Sequence, residues 1–224
     1  MAELDVMAEL TVTAFVTLDG VTESPAAFKE ESDEFKYEGW MVPYADAEFR
    51  SIMKGIFSKA DAFLFGAATY NMFSAYWPKV SDSRNPIART LNRLPKHVVS
   101  SSPSTLAGPW ENTFVVWDIL EEVRALKSLY ARELQVHGSV RLVQTLMVLN
   151  VVDVYHLLIA PITMGYGIGR RRLFSNAEPC ALTLEKSRTT PSGVMYCAYR
   201  ANPKATGLEG AEVRPGKPGL ITTT

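Results

Sequence analysis

The sequence predicts an α/β domain whose mainly parallel sheet closes in an antiparallel pair. Three observations carry that expectation. From residue 10 to residue 162, β-branched and aromatic runs alternate with segments of helical apolar periodicity. Two of the runs end in a glycine and restart at once as helices, at "LFGAATY" (Leu64–Tyr70) and "QVHGSVRL" (Gln135–Leu142). The last two runs, "CALTLEKSR" (Cys180–Arg188) and "GVMYCAYRA" (Gly193–Ala201), face each other across "TTPS" as a hairpin.

In chain order, "LTVTAFVTL" (Leu10–Leu18) is a strand ended by an Asp-Gly turn. Val21–Trp40 is polar with interspersed aromatics and reads as a long loop over the core. Asp46–Phe57 sets Phe49, Ile52, Met53, Ile56 and Phe57 on one helical face. "AFLFG" is a buried strand, and Thr69–Trp77 a helix stopped by Pro78. Asn85–Leu94 carries an Asn N-cap and a proline at the first helical position. "KHVVSSS" is a strand ending in hydroxyls, and Thr113–Trp117 the next strand. "DILE" (Asp118–Glu121) reads as a capping box opening a helix to about Tyr130. "ELQVHG" is a strand, Ser139–Leu149 a helix, and "VVDVYHLLIAPI" a long strand.

The 224 residues suit one domain with extensions: 1–9 an N-terminal extension, 10–201 the domain, 202–224 a Pro/Gly/Thr-rich flexible tail. "MAEL" occurs twice at the start, so Met7 is as good an initiator as Met1. With 47% hydrophobic residues a sizeable core can form, and a net charge of −1 gives no electrostatic footprint for nucleic acid. Cys180 and Cys197 lack metal-ligand spacing, and no metal site is expected. No signal-peptide pattern appears and no apolar run reaches membrane length, which predicts free thiols in a cytoplasmic protein without a membrane partner.

The chemistry points to the two glycine junctions. A glycine lets the backbone turn sharply at a strand end, and small residues after it let a ligand approach the free N–H groups of the helix start. Those donors and the helix dipole favour an anion such as a pyrophosphate. "SSS" (Ser100–Ser102) ends a third strand in the same manner. No G-x-G-x-x-G or G-K-[ST] is present, so neither the ordinary dinucleotide fingerprint nor a P-loop applies.

"TLDGV", "ADAFLFGAATY", "LPKHVVSSS", "LQVHGSVRLVQTLMVLNVVDVYHLLIAPITMGYG" and the closing "LF", in that order, resemble the dihydrofolate reductase-like superfamily. More narrowly they resemble the reductase domain of the bifunctional riboflavin-biosynthesis deaminase–reductase and its stand-alone bacterial relatives, over about Leu10 to Arg200. The resemblance implies a mixed, mainly parallel sheet, NADPH-dependent hydride transfer and a homodimer. It implies that Gly66, Ala67, Ala68 and Thr69 meet the cofactor phosphates at one helix start, and Gly138, Ser139, Val140 and Arg141 at the other. Ser100 and Ser101 would lie near the adenosine 2′-phosphate. Ala67 stands where folate-reducing members carry arginine, which argues against folate chemistry. Val140 stands where relatives often carry glycine and adds bulk beside the pyrophosphate path.

Asp46 and Asp19 are the candidate acid/base groups, since reducing C=N or C=O needs a proton as well as a hydride. "WMVPYAD" (Trp40–Asp46) resembles the segment in which folate reductases carry their substrate-binding carboxylate. As residues alone, Asp46 also reads as a helix N-cap and Asp19 as part of a plain Asp-Gly turn. Trp40, Tyr44, Tyr70 and Trp77 are candidates to wall a flat heterocycle, or core residues. All three histidines, His97, His137 and His156, read as core or edge residues, with contact to a ligand as the alternative for His137, directly before Gly138. The "RRR" run (Arg170–Arg172) reads as solvated surface or a phosphate contact. The expected activity is NADPH-dependent reduction of a small heterocyclic, carbonyl or imine metabolite. The alternatives are a member of the fold turned to a redox-neutral step, such as a cyclisation, or a non-catalytic ligand-binding module.

Overall fold

The computed structural model describes residues 7–26, 35–80, 85–102, 104, 106, 108–165, 171–175 and 178–202. The inner part of the predicted long loop, residues 166–170 and the predicted tail beyond Asn202 lie outside them. Strands β1 (Glu9–Thr17), β2 (Ala60–Gly66), β3 (Lys96–Val99), β4 (Thr113–Val116), β5 (Glu133–Val136), β6 (Val154–Ala160), β7 (Ala181–Thr189) and β8 (Met195–Asn202) form one sheet. Its order is β4-β3-β2-β5-β1-β6-β8-β7. The first six strands are parallel and β8 pairs antiparallel with both β6 and β7. The expected parallel sheet with a closing hairpin is the observed one.

Helices α1 (Ala47–Phe57), α2 (Ala67–Tyr76) and α3 (Pro86–Arg93) cover one face, where Phe49, Ile52, Ile56, Phe63, Phe65, Tyr70 and Leu91 share a core. Helices α4 (Ile119–Leu129) and α5 (Val140–Val148) cover the other, over Leu10, Val12, Leu64, Leu134, Leu142 and Leu146. The near-continuous apolar reading of the inner strands follows from this burial on both faces.

The helix starts obey their caps with one exchange. Asn85 accepts from the Ile87 and Ala88 amides, and Asp118 from those of Leu120 and Glu121. The reciprocal arm of the expected capping box comes from Glu122 rather than Glu121, its carboxylate accepting from the Trp117 and Asp118 amides at 2.6 and 3.0 Å. Several ends move inward. β3 stops at Val99 before the serines, and β6 starts at Val154. There Asp153 turns aside to accept from the Leu10 amide and pair with Lys127.

Lys96 is fully buried on β3. Its Nζ donates to the carbonyls of Leu91 at 2.9 Å, Asn92 at 3.3 Å and Leu94 at 2.9 Å, and lies 4.5 Å from the centre of the Trp110 ring. It thereby closes the end of α3, where carbonyls lack intrahelical partners and the dipole favours a cation. Burial lowers its pKa to about 8, opposed by the charge of Glu111, so the ammonium persists at neutral pH. Lys96→Met, which keeps the bulk but strands three carbonyls, is expected to cost about 1–3 kcal/mol in urea unfolding at an unchanged m value.

Candidate active site

The chain leaving β2 passes into α2 on one face of the sheet, and the chain leaving its neighbour β5 passes into α5 on the other. Adjacent strands whose connections part to opposite faces make a crevice at their carboxyl ends, the place where open α/β sheets bind ligands. Both predicted glycine junctions meet there. The Gly66 amide donates to the Gly138 carbonyl at 3.1 Å. A Cβ on Gly66 would stand 2.3 Å from Ser139 Oγ, and one on Gly138, whose φ is +126°, 2.6 Å from Thr69 Oγ1. Each turn therefore occupies the room that the other's glycine leaves. The Gly138–Ser139 peptide is cis.

Two helix starts are thus held side by side. α2 has Gly66 as N-cap and no side-chain cap, so Ala67, Ala68 and buried Thr69 open the helix with backbone donors alone. α5 is capped by Ser139, whose Oγ accepts from the Leu142 amide at 3.5 Å. Val140 is half-buried at the first helical position. Arg141 follows it, exposed and without an ion pair among the described residues. At the end of β3, Ser100 is buried and its Oγ accepts from the Ser102 amide, while Ser101 stays exposed.

His137 ends the polar row Glu133–Gln135–His137 along β5. Gln135 Nε2 donates to Ile56 O and Glu133 Oε2, both at 2.7 Å, so its Oε1 faces His137 Nε2 at 3.1 Å. An amide oxygen only accepts, which makes Nε2 the protonated nitrogen and leaves Nδ1 as an acceptor. The ring stacks on Phe57 with centroids 4.4 Å apart. Burial, with the nearby His156 charge, lowers the His137 pKa to about 3. The row was readable in "ELQVH", where the polar residues recur with the period of a strand, though sequence analysis singled out only His137.

The carboxylates sit apart from this row. Asp46 caps α1, accepting from Phe49 N at 2.7 Å and, across the fold, from Ser192 N at 2.9 Å. These bonds, the Phe49 amide foremost, hold its pKa down to about 2. Asp19 is partly desolvated, which raises its pKa, but bonds from the Thr17 hydroxyl and the Met164 and Gly165 amides outweigh that and lower it. Arg172 donates to the Asp19 carbonyl and lies 3.8 Å from its carboxylate. Both aspartates are therefore held ionised at neutral pH by these bonds. Arg172, engaged with Asp19, is neither free surface nor a free phosphate contact.

The four aromatic candidates divide. Trp40 is buried with Nε1 donating to Glu23 O at 2.7 Å, and Tyr44 lies in the short 3₁₀ turn Val42–Tyr44, its carbonyl accepting from Ser192 Oγ. Tyr70 is buried, its hydroxyl 3.3 Å from Gly108 O and its ring 6.0 Å from Trp110. Trp77 packs edge-on against Phe73 and Tyr76. Trp40 and Tyr70 are core residues; Tyr44 and Trp77 are half-exposed. His97 meets Tyr130 Oη at 2.8 Å, and His156 is buried under α1. Among the described residues no group of three or more His, Cys, Asp or Glu could hold a metal, and no helix is long and apolar enough to cross a membrane.

The profile of the RibD C-terminal domain matches residues 8–196. An uncharacterised protein of Bacillus subtilis, YyaP, is 27% identical over 190 residues, which are 84% of this chain and 92% of that one. The crystal structure of a putative riboflavin biosynthesis protein from Shewanella superposes with a TM-score of 0.60 at 17% identity, covering 87% of this chain and 99% of the other. Dihydrofolate reductase from Enterococcus faecalis, solved with NADP(H) and RAB-propyl, gives 0.53 at 16% identity, covering 87% and 96%. These likenesses establish a dihydrofolate reductase-like fold.

Proposed function

The chain belongs to the RibD C-terminal domain family, and on that premise we propose that it is an NADPH-dependent reductase of a small heterocyclic, carbonyl or imine metabolite. The observation that carries this reading is the meeting of Gly66 and Gly138 at the point where the chain parts to opposite faces of the sheet. Two helix starts converge there, one without a side-chain cap and one with Arg141 in its first turn. That donor set suits a pyrophosphate. NADPH bound there would supply a hydride from its nicotinamide ring. The amides of Ala67, Ala68, Val140 and Arg141 would hold the phosphates, with exposed Ser101 near the 2′-phosphate. Asp46, ionised, would orient a substrate N–H by accepting from it, leaving solvent as the proton source. We further propose a cytoplasmic homodimer, as the family resemblance implies.

Titrating NADPH while following nicotinamide fluorescence tests the reading. Saturable binding is expected, and none by about 1 mM would remove it. Arg141→Ala is expected to weaken NADPH about two- to fivefold, the worth of one exposed charge contact, with the difference shrinking as salt rises. Equal affinity would make Arg141 an ordinary solvated side chain.

Two observations favour a second reading, a redox-neutral role for the same fold. Val140 fills the first position of α5, and hydrogen bonds hold the pKa of both aspartates below the usual carboxylate range. Val140→Gly separates the two: gain of NADPH affinity from none supports it, whereas saturable binding by the unmodified protein removes it.

A further inference from the structure

We propose that the cleft beneath the C-terminal half of α1 is a second binding site, separate from the glycine junctions, for a small organic anion: one carboxylate or phosphate on an apolar body. The cleft has a volume of about 460 Å³ and opens at the amino-terminal end of the parallel strands, where Glu9, Glu133 and Val154 line it. The glycine junctions lie at the carboxyl-terminal end.

Strand pairing builds the site. Leu184 pairs with Tyr199, and a bulge then brings Lys186 opposite Ala198. Without that extra residue, Lys186 would share the face of Leu184; the bulge turns it to the α1 side. His156 also pairs with Ala198, from the other neighbouring strand. Lys186, Ala198 and His156 therefore form one row across β7, β8 and β6. The middle member is the small one, and all three line the cleft.

Charge decides what suits that space. Glu9 and Glu185 both pair with Arg200, Glu133 pairs with Lys59, and Arg188 with Glu48. Lys186 alone among the cleft's charged side chains has no ion pair among the described residues. His156 is 3% exposed; its Nδ1 meets Tyr196 Oη at 3.0 Å, and its Nε2 is buried with no partner among the described residues. A buried polar atom left unpaired is uncommon in a native fold. The walls are Ile52, Ile56 and Tyr196.

Gly55 lines the same cleft. It lies inside α1, where glycine costs about 1 kcal/mol relative to alanine, yet a Cβ there would meet nothing within 4 Å. No packing demands this glycine. Its effect is to keep the cleft open.

Benzoate, one carboxylate on a flat ring, is the probe, with inorganic phosphate as the charge-only control, read by ¹⁵N NMR of the His156 imidazole in the full chain. Benzoate is expected to shift the His156 signals saturably with millimolar affinity. It should also raise the His156 pKa, because burial and then the Lys59 and Lys186 charges hold that pKa down to about 4 and an anion offsets the charges. Lys186→Met should weaken benzoate about fivefold or more. Gly55→Leu should abolish binding without lowering Tm, since leucine favours the helix. No saturable shift by about 50 mM benzoate, or equal binding by Lys186→Met, overturns the proposal. Phosphate binding as tightly as benzoate overturns the apolar part, and competition between benzoate and NADPH overturns its separateness. The test stands whether or not NADPH binds.

Discussion

Replacing Gly66 by alanine is expected to destabilise the protein by about 2–4 kcal/mol and to abolish the proposed NADPH binding. The new methyl would stand 2.3 Å from Ser139 Oγ and 3.1 Å from both Ser139 Cβ and the Ser139 backbone nitrogen. A rotation of the serine relieves the first contact but removes the oxygen that caps Leu142, and a lost cap costs about 1 kcal/mol. The remaining contacts need a backbone shift of α5 away from β2, which separates the two helix starts. Ser139→Ala alone should lose only the cap. In the double variant the closest clash is gone, so the pair should be less destabilised than the sum of the singles, by about 0.5–1.5 kcal/mol of coupling. Urea unfolding of the four proteins measures the cycle, and NADPH titration of the same set reads the site. Additive costs would mean that the two turns do not interlock.

The cycle also marks where sequence reading stopped. Both glycine junctions were visible as local patterns, because a strand that ends in Gly and restarts on small residues has a composition of its own. Their contact was not visible, because the Gly66–Gly138 hydrogen bond depends on β5 inserting between β2 and β1. The same limit explains the aspartates. Asp46 was legible as an N-cap, since that role is settled within three residues, but its second partner, Ser192, comes from the closing hairpin. Asp19 was legible as a turn with Thr17, while the Met164 and Gly165 amides, which help to hold it ionised, arrive from the other end of the domain. A carboxylate's protonation state depends on such distant donors, so a cap is legible in the sequence where an acid is not. Helix starts were read well for the converse reason. Asn85 and Asp118 need only the next turn of their own helices, and even the exchange of Glu122 for Glu121 shifted the reciprocal bond by a single position.

Acidification from pH 6.5 to pH 4 is expected to remove several kcal/mol of stability, well before most carboxylates titrate. His137 and His156 lie under α1 with pKa values lowered to about 3 and about 4, in both cases chiefly by burial. In the unfolded chain a histidine titrates near 6.5. Between those values the unfolded state binds protons that the native state refuses, so stability is complete above about pH 6.5 and falls as pH drops towards 4. Each such histidine contributes a slope of up to about 1.4 kcal/mol per pH unit across that window. Asp46, held at about 2, has the opposite sign of charge but the same direction of effect, and its loss belongs below about pH 4, where the unfolded carboxyl gains its proton. The two windows are therefore separable. Urea unfolding at half-unit steps from pH 7 to pH 4 should show the decline beginning near pH 6.5. His156→Gln, which cannot titrate, should flatten the curve by one histidine's share, and His137→Gln by the other's. A wild-type curve that stays level to pH 4.5 would mean that both imidazoles accept a proton in the folded protein, and a curve with half the decline that one of them does. The Gln135–His137 pairing, in which the neutral ring donates through Nε2, would then hold only part of the population.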